Sequence, residues 1–387
     1  MLSKKSSYYA SQILQLLFSR AGISRAEVAE LLGIDKAVVT NVVSYLMEMG
    51  YVEEGTDAGG KHSGRRRIPL HLSESSGCIL GLEVQPEFVS ISALSPSGRI
   101  ILSKLETRPE PDGALVPAIA TAVRGVLPDL ENRGLRLLGI GAGLSGIVDP
   151  VRGVLSYSMM LGAEHGEIEV AAPLREAFGV PVFVDNDANC CCYGALVYPE
   201  HPRCNDFLYV FGEFEDDTAY SDSYRRISIG LGLVLGGRVH YGARNASGEF
   251  RSGSAVAGVP GQFSRHSQEE YYAIKSDPDL LVEFIGEVAQ NVAFLANILD
   301  LSAVYFGGGI EVYQTLMRPA LEHAVEVNWT YSGRLPRSVA AYFANAGDKP
   351  VARGAAAIVL QHIFSGPDYD GFGPVGLELL QHGVPVA

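Results

Sequence analysis

The sequence predicts an α/β protein in which a winged helix-turn-helix precedes two α/β lobes. Three observations predict it. Apolar residues recur at helical spacing in three short segments before residue 50, strand and helix signals alternate from residue 78 onward, and positive charge gathers at the head of an otherwise acidic chain. The 387 residues carry a formal charge of −14, yet residues 1–75 hold nine Lys and Arg against eight acids, leaving that segment at +1 and the remainder at −15. Phosphate binding needs a local positive field, so the acidic average does not argue against nucleic acid at the head.

The elements follow in order. From Tyr8 to Phe18, Ile13, Leu14, Leu16, Leu17 and Phe18 form a helical stripe that ends at Ala21-Gly22. Ser24 then opens a Ser-x-x-Glu capping box with Glu27, and Val28, Ala29, Leu31 and Leu32 supply a buried face up to Gly33. With Asp35 as N-cap, Val38, Val39, Val42, Val43, Leu46 and Met47 define a third helix that leaves Lys36, Thr40, Asn41 and Ser44 outward. A short helix, a tight turn and a second helix with polar and cationic residues near its start make a helix-turn-helix, whose second helix enters the DNA major groove. Lys36, Thr40, Asn41 and Ser44 are the candidate readers.

Tyr51-Val52-Glu53-Glu54, a glycine-rich tip from Gly55 to Gly64, the triplet Arg65-Arg66-Arg67 and the alternating Ile68 to Leu72 predict a two-stranded wing with a basic tip. Arginines on such a hairpin can reach phosphates or enter a narrow minor groove. A basic triplet alone is usually a solvated loop; its place after a complete helix-turn-helix is what points to DNA.

The texture changes near residue 77. Strands are predicted at 78–84, 88–94 and 98–102, then a helix over 115–127, a strand at 137–141, a helix near 170–178, a strand at 181–184 and a long helix over 280–299. The predicted domains are 1–76 for the winged helix, 77–190 for a first lobe and 191–387 for a second, with the C-terminal helix returning to the first lobe.

Other classes are excluded or disfavoured. Apolar runs are broken by Gly or charge before the ~20 residues of a membrane span, so no membrane partner is expected. MLSKKSSYYASQ has no apolar h-region, which makes a cytoplasmic location the expectation. Five cysteines, three of them consecutive at 190–192, suit reduced thiols rather than a disulfide framework. Consecutive helical residues diverge by about 100°, so the three cannot converge on one ion. His266, Glu269 and Glu270 have the spacing of a metal site but also that of an ordinary solvated helix face, which is the reading preferred.

The order of several weak motifs then resembles the ROK family of repressors, open reading frames and sugar kinases. These are Gly139 to Asp149 (GIGAGLSGIVD), Pro181 to Asn189 (PVFVDNDAN), Gly232 to Arg238, Gly248-Glu249, Val304 to Gly309 (VYFGGG) and Arg353 to Ala357. The resemblance spans nearly the whole chain and implies two actin-like, ribonuclease H-like lobes. In family kinases the aspartate of Asn-Asp-x-Asn accepts the proton of a sugar hydroxyl, a role that would fall here on Asp187 beside Asn186. The same residues read equally as a turn with an Asx cap opening a helix at Cys190.

Measured against that family, the nucleotide side departs twice. The kinases' Asp-x-Gly-Gly-Thr turn is replaced by Glu83-Val84-Gln85-Pro86-Glu87, with no glycine and a proline lacking an N–H. The phosphate-binding threonine of Gly-Thr-Gly-Ile-Gly falls on Ile227. Neither kinase activity nor ATP as a cofactor is expected, and Asp187 is a vestigial base. On the sugar side Gly248-Glu249 matches, but the family's next histidine, a zinc ligand in many members, is Ser252, and residues 253–270 contain no cysteine. No metal is expected.

The expectation is a DNA-binding transcriptional regulator of carbohydrate metabolism, of repressor type. It would bind a double-stranded operator as a homodimer or homotetramer and sense a carbohydrate-like effector through Asn186, Asp187, Glu249 and Ser252. The effector would close the lobes and shift the population of DNA-binding states. The alternatives are an active sugar kinase with a DNA-binding head and a ligand-free dimerisation scaffold.

Overall fold

The computed structural model describes residues 4–55, 68–108, 114–198, 202–214, 227–344 and 349–364. Three helices open the chain: α1 (Lys4–Ser19), α2 (Arg25–Leu32) and α3 (Lys36–Glu48). Ser24 caps α2 through the full capping box with Glu27, Gly33 ends that helix at φ 64°, and Asp35 caps α3 by accepting from the Ala37 N–H. Each signal is local, which is why it reads correctly from sequence. Ile13, Leu14, Leu17, Val28, Val39, Val43 and Leu46 are fully or almost fully buried. Strands β1 (Val52–Glu54) and β2 (Leu70–Leu72) pair antiparallel, with Val52 opposite Leu72. The tip between them, with Arg65, Arg66 and Arg67, lies outside the described residues.

A five-stranded sheet follows from β3 (Cys78–Val84), β4 (Phe88–Leu94), β5 (Ile100–Thr107), β6 (Leu137–Leu144) and, after a three-stranded flap of β7 (Ile147–Asp149), β8 (Val154–Tyr157) and β9 (Ile168–Glu169), β10 (Val182–Asn186). Its spatial order is β10-β6-β3-β4-β5, antiparallel over β3-β4-β5 and parallel where β6 and β10 join. Helices α4 (Leu115–Arg124), α5 (Leu127–Glu131) and α6 (Ala171–Phe178) are amphipathic, and Ile119, Val123, Leu130 and Leu174 pack with Leu80, Leu82, Ile91, Ile140 and Val182. The single helix expected over 115–127 is thus two, since Pro128 at the start of α5 cannot continue the hydrogen-bond ladder of α4.

The second sheet repeats the plan. Strands β11 (Phe207–Phe214), β12 (Ile227–Leu235), β13 (Arg238–Val239), β14 (Ala303–Gly308) and β15 (Ala340–Phe343) take the order β13-β12-β11-β14-β15, again antiparallel on one side and parallel on the other. With it go α7 (Asp187–Val197), α8 (Gln268–Ala273), α9 (Pro278–Ile298) and α10 (Gln314–Val327). At 21 residues α9 is long and apolar enough to cross a membrane, longer than the broken apolar runs of the sequence suggest. Its residues Phe284, Ile285, Val288 and Val292 lie in the core under the second sheet, which accounts for the apolar content.

The chain forms two compact units: Met1–Asn186 with Val197–Glu200 and Ala352–Ala387, and Asp187–Leu196 with His201–Val351. The boundary drawn at residue 190 falls inside α7, and the winged helix belongs to the first unit. The last helix, α11 (Pro350–Phe364), runs back into that unit. There the missing side chains of Gly81 and Gly141 make room for it, because a Cβ at either would lie 1.8 Å from the Ala352 carbonyl oxygen or 1.9 Å from that of Ala355.

Candidate functional site

Lys36, Thr40, Asn41 and Ser44 are all exposed on α3, while Val39, Val42, Val43 and Leu46 hold its other side in the core. The i, i+4, i+8 spacing of Lys36, Thr40 and Ser44 puts three of the four in one row, and the Thr40 hydroxyl donates to the Lys36 carbonyl at 2.8 Å. Polar side chains that reach outward from a rigid, capped helix can read base edges, with Asn suited to adenine. The head is anchored to its unit by Arg136, which donates to the Tyr51 hydroxyl and the Ser76 carbonyl, each at 3.1 Å, and by the Arg99–Glu74 ion pair at 2.8 Å.

Asn186 closes β10 and its side-chain amide donates to the Gly146 carbonyl at 3.0 Å, tying the two motifs at 139–149 and 181–189 together. Gly146 sits at φ 126°, where a Cβ would lie 2.3 Å from the Tyr157 carbonyl oxygen, so the glycine is required. Asp185-Asn186 continue the strand and the helix starts at Asp187, three residues before the Cys190 start expected from the turn reading. Asp187 is buried at 6% exposure, the first residue of α7.

In the second unit Asp187 and Gly248, the residue before Glu249, are set against neighbouring residues of β12. The bare Cα of Gly230 leaves a Cβ position 3.6 Å from Asp187 Oδ1, and Gly232 admits Ala188 and Cys192 so closely that a Cβ would meet Cys192 Sγ at 2.4 Å. Gly248, at φ 99°, presses on the Leu231 carbonyl, where a Cβ would lie at 1.8 Å. Its neighbour Glu249 is exposed as a residue, and partial desolvation of its carboxyl raises its pKa above the ordinary value. Ser252 is placed differently: it is buried, and its hydroxyl donates to Glu287 and accepts from Asn291 at 3.1 Å.

Two positions compared with kinases have defined surroundings. The turn Gln85-Pro86-Glu87 is closed by Arg108, whose guanidinium donates to the Gln85 carbonyl at 2.8 Å and whose N–H donates to the Glu87 carbonyl at 2.6 Å. Ile227 is the first residue of β12 and is buried at 3% exposure. The solvated face expected for His266 is also corrected: its side chain is 5% exposed with Nε2 turned toward Glu287, while Glu269 is exposed and Glu270 caps α8 through Ser267. The five cysteines form no disulfide, and burial pushes the Cys78 thiol up to about 12.

Sequence reasoning missed Glu287, Asn291 and Arg108. Glu287 and Asn291 are one helical turn apart on α9 and distant in sequence from Ser252, so no local pattern announces them. Arg108 is a lone arginine at the end of β5, and nothing in its spacing marks its burial.

Residues 92–213 match the ROK family and residues 8–53 match the winged helix-turn-helix DNA-binding family, so the chain carries a ROK family domain behind a winged helix-turn-helix. It is 22% identical to the xylose repressor of Caldicellulosiruptor bescii over 92% of this chain and 96% of that protein. It is 23% identical to the xylose repressor of Bacillus subtilis and 24% identical to the DNA-binding transcriptional dual regulator NagC of Escherichia coli, over 62% of this chain in each case. Those two matches span only 58% and 56% of the relatives' own lengths. Among solved structures, a ROK family transcriptional regulator homologous to the E. coli MLC protein is similar over 98% of this chain and all of its own, at a TM-score of 0.70 and 14% identity. A ROK family glucokinase from Streptomyces griseus is similar over 73% of this chain at a TM-score of 0.56 and 16% identity. These likenesses establish the fold: a winged head on an actin-like body.

Proposed function

We propose that the protein is a DNA-binding transcriptional repressor whose body senses a carbohydrate and has lost phosphoryl transfer. The observation that carries the reading is the exposed row on α3, Lys36, Thr40, Asn41 and Ser44, on a doubly capped helix-turn-helix joined to a ROK domain. Similarity to a xylose repressor along 92% of the chain supports it and makes xylose, with the N-acetylglucosamine named for an E. coli repressor 24% identical to this chain, the first effectors to try.

Asp187 and Glu249 would accept hydrogen bonds from neighbouring sugar hydroxyls, and Asn186 would offer an amide, the donor and acceptor mixture that neutral sugars require. The Gln85-Pro86-Glu87 turn supports the loss of kinase function, because Pro86 has no N–H and Arg108 holds the turn by both its flanking carbonyls. Buried Ile227 offers no hydroxyl where a phosphate-binding threonine would stand. The partners are a double-stranded operator and a second copy of the chain, since two half-sites need two reading helices. No nucleotide or metal takes part as a cofactor.

The test is thermal melting of the purified protein against D-xylose, N-acetyl-D-glucosamine, other sugars, sugar phosphates and Mg-ATP. The reading expects a rise with a free sugar and none with Mg-ATP. A rise with Mg-ATP together with phosphorylation of a sugar would establish the kinase with a DNA-binding head instead. No rise with any compound would favour a dimerisation scaffold.

A further inference from the structure

Zinc, which the family resemblance implies, does not fit the residues present. The histidine position is Ser252 and its hydroxyl is committed to Glu287 and Asn291. Among the described residues no group of three or more His, Cys, Asp or Glu is placed to hold a metal. His266 Nε2 and Glu287 Oε2 face each other at 3.8 Å without a hydrogen bond, and two donors do not complete the four of a structural zinc site.

The same loop is held by side chains. Arg251 fans its guanidinium over the loop's carbonyls, donating to Val259 at 2.6 Å, Gly261 at 3.1 Å and Val256 at 3.4 Å, and to the Ser264 hydroxyl at 3.3 Å. Asn291 accepts from the Gly253 N–H at 2.8 Å, Ser252 from the Ser254 N–H at 3.1 Å, and Ser264 from the Val256 N–H at 2.8 Å. Gln262 pairs with both backbone groups of Ile229 on β12, at 3.0 and 2.7 Å. Residues 253–260 are mostly exposed and belong to no strand or helix, so fixing them costs backbone entropy at every residue. Hydrogen bonds to charged groups are stronger than those between neutral groups and offset part of that cost.

We propose that Arg251, Ser252, Glu287 and Asn291 form a metal-free clasp that positions the Gly248-Glu249 turn against β12, doing by side-chain hydrogen bonds what the resemblance assigns to a metal. Only the role of Glu249 rests on the functional reading above. The four are positioning residues, since they hold the turn rather than a sugar.

Hydrogen exchange on the full-length protein, with and without EDTA, tests this alongside metal analysis of the purified chain. The expected result is no stoichiometric zinc and protection of the Gly253, Ser254 and Val256 amides that EDTA leaves unchanged. Ser252→Ala and Arg251→Ala should each raise exchange across 248–264 by at least about tenfold while strands of the first unit keep their protection. Ser252→Thr, which keeps the hydroxyl, should restore it. One zinc per chain, EDTA-dependent opening of the loop, or wild-type protection in Ser252→Ala would overturn the clasp. Should a variant fail to fold, the EDTA arm on the wild-type protein still decides, and none of these outcomes depends on whether a sugar binds.

Discussion

The ring of Phe18, in the last turn of α1, lies 6.3 Å from the ring of Tyr198, just beyond the end of α7. Tyr198 is buried, its hydroxyl donates to the Arg353 carbonyl at 2.9 Å, and the Arg353 guanidinium stands 4.6 Å from its ring centre. The chain passes between its two units at 196/197 and again at 351/352. The head helix therefore rests on residues adjoining two of the places where the chain changes unit.

Tyr198→Ala should cost about 3–5 kcal/mol, the range for emptying a buried aromatic site, and Tyr198→Phe about 1 kcal/mol for the lost hydrogen bond. Denaturant unfolding measures both. If the contact carries the effector signal to the head, Phe18→Ala will bind DNA but lose its response to the sugar found in the melting screen.

Replacing Arg65, Arg66 and Arg67 by Ala should lower the slope of log affinity against log salt by up to about 2.7, from ~0.9 for each phosphate contact. Fluorescence anisotropy with a mixed-sequence duplex reads it. An unaltered slope removes the wing from the DNA interface.

Asn41→Ala should relax sequence preference by about 1–3 kcal/mol at one base pair, whereas Lys36→Ala should weaken all duplexes alike. Competitive binding against a randomised duplex library separates the two patterns.

Glu249 gives a pH dependence of known sign. A raised carboxyl pKa means that the folded chain binds the proton more tightly than the unfolded one, so the contribution to stability is full at acid pH and is lost as pH climbs above the ordinary value of 4.5 through the raised one. Glu249→Gln should flatten that decline and leave the protein no less stable at neutral pH, while abolishing the sugar-induced melting shift. Melting curves across acid to neutral pH check it; a steep loss of stability in Glu249→Gln would make the residue structural.

Gly248→Ala meets both a left-handed backbone and the Leu231 carbonyl, so a loss well above 1 kcal/mol is expected. Denaturant midpoints of the variant and wild type provide the comparison.

What could be read in advance follows the range of the interactions. Ser24, Glu27, Gly33 and Asp35 act within one helical turn, and the head's helices stand where those residues place them. The Gly-rich motifs identified the body, but not why the glycines are there: Gly230, Gly232 and Gly248 serve close approach to α7 and β12, a relation between segments far apart in the chain. Ser252 was legible as a departure from the family pattern, yet its partners on α9 were not, because a hydrogen bond across 35 residues leaves no periodicity behind. The helix at Asp187 begins earlier than an Asx turn suggests, since β10 runs directly into it.

The seat of α11 over Gly81 and Gly141 has a consequence for biosynthesis. The sheet that carries the DNA-binding head lacks one of its covering layers until residues 350–364 have left the ribosome, although the head itself is made first. A chain that stops short of Pro350 would leave apolar strands of that unit bare, and such fragments should be cleared or aggregate rather than occupy operators. Finished translation thereby becomes a condition for a stable regulator.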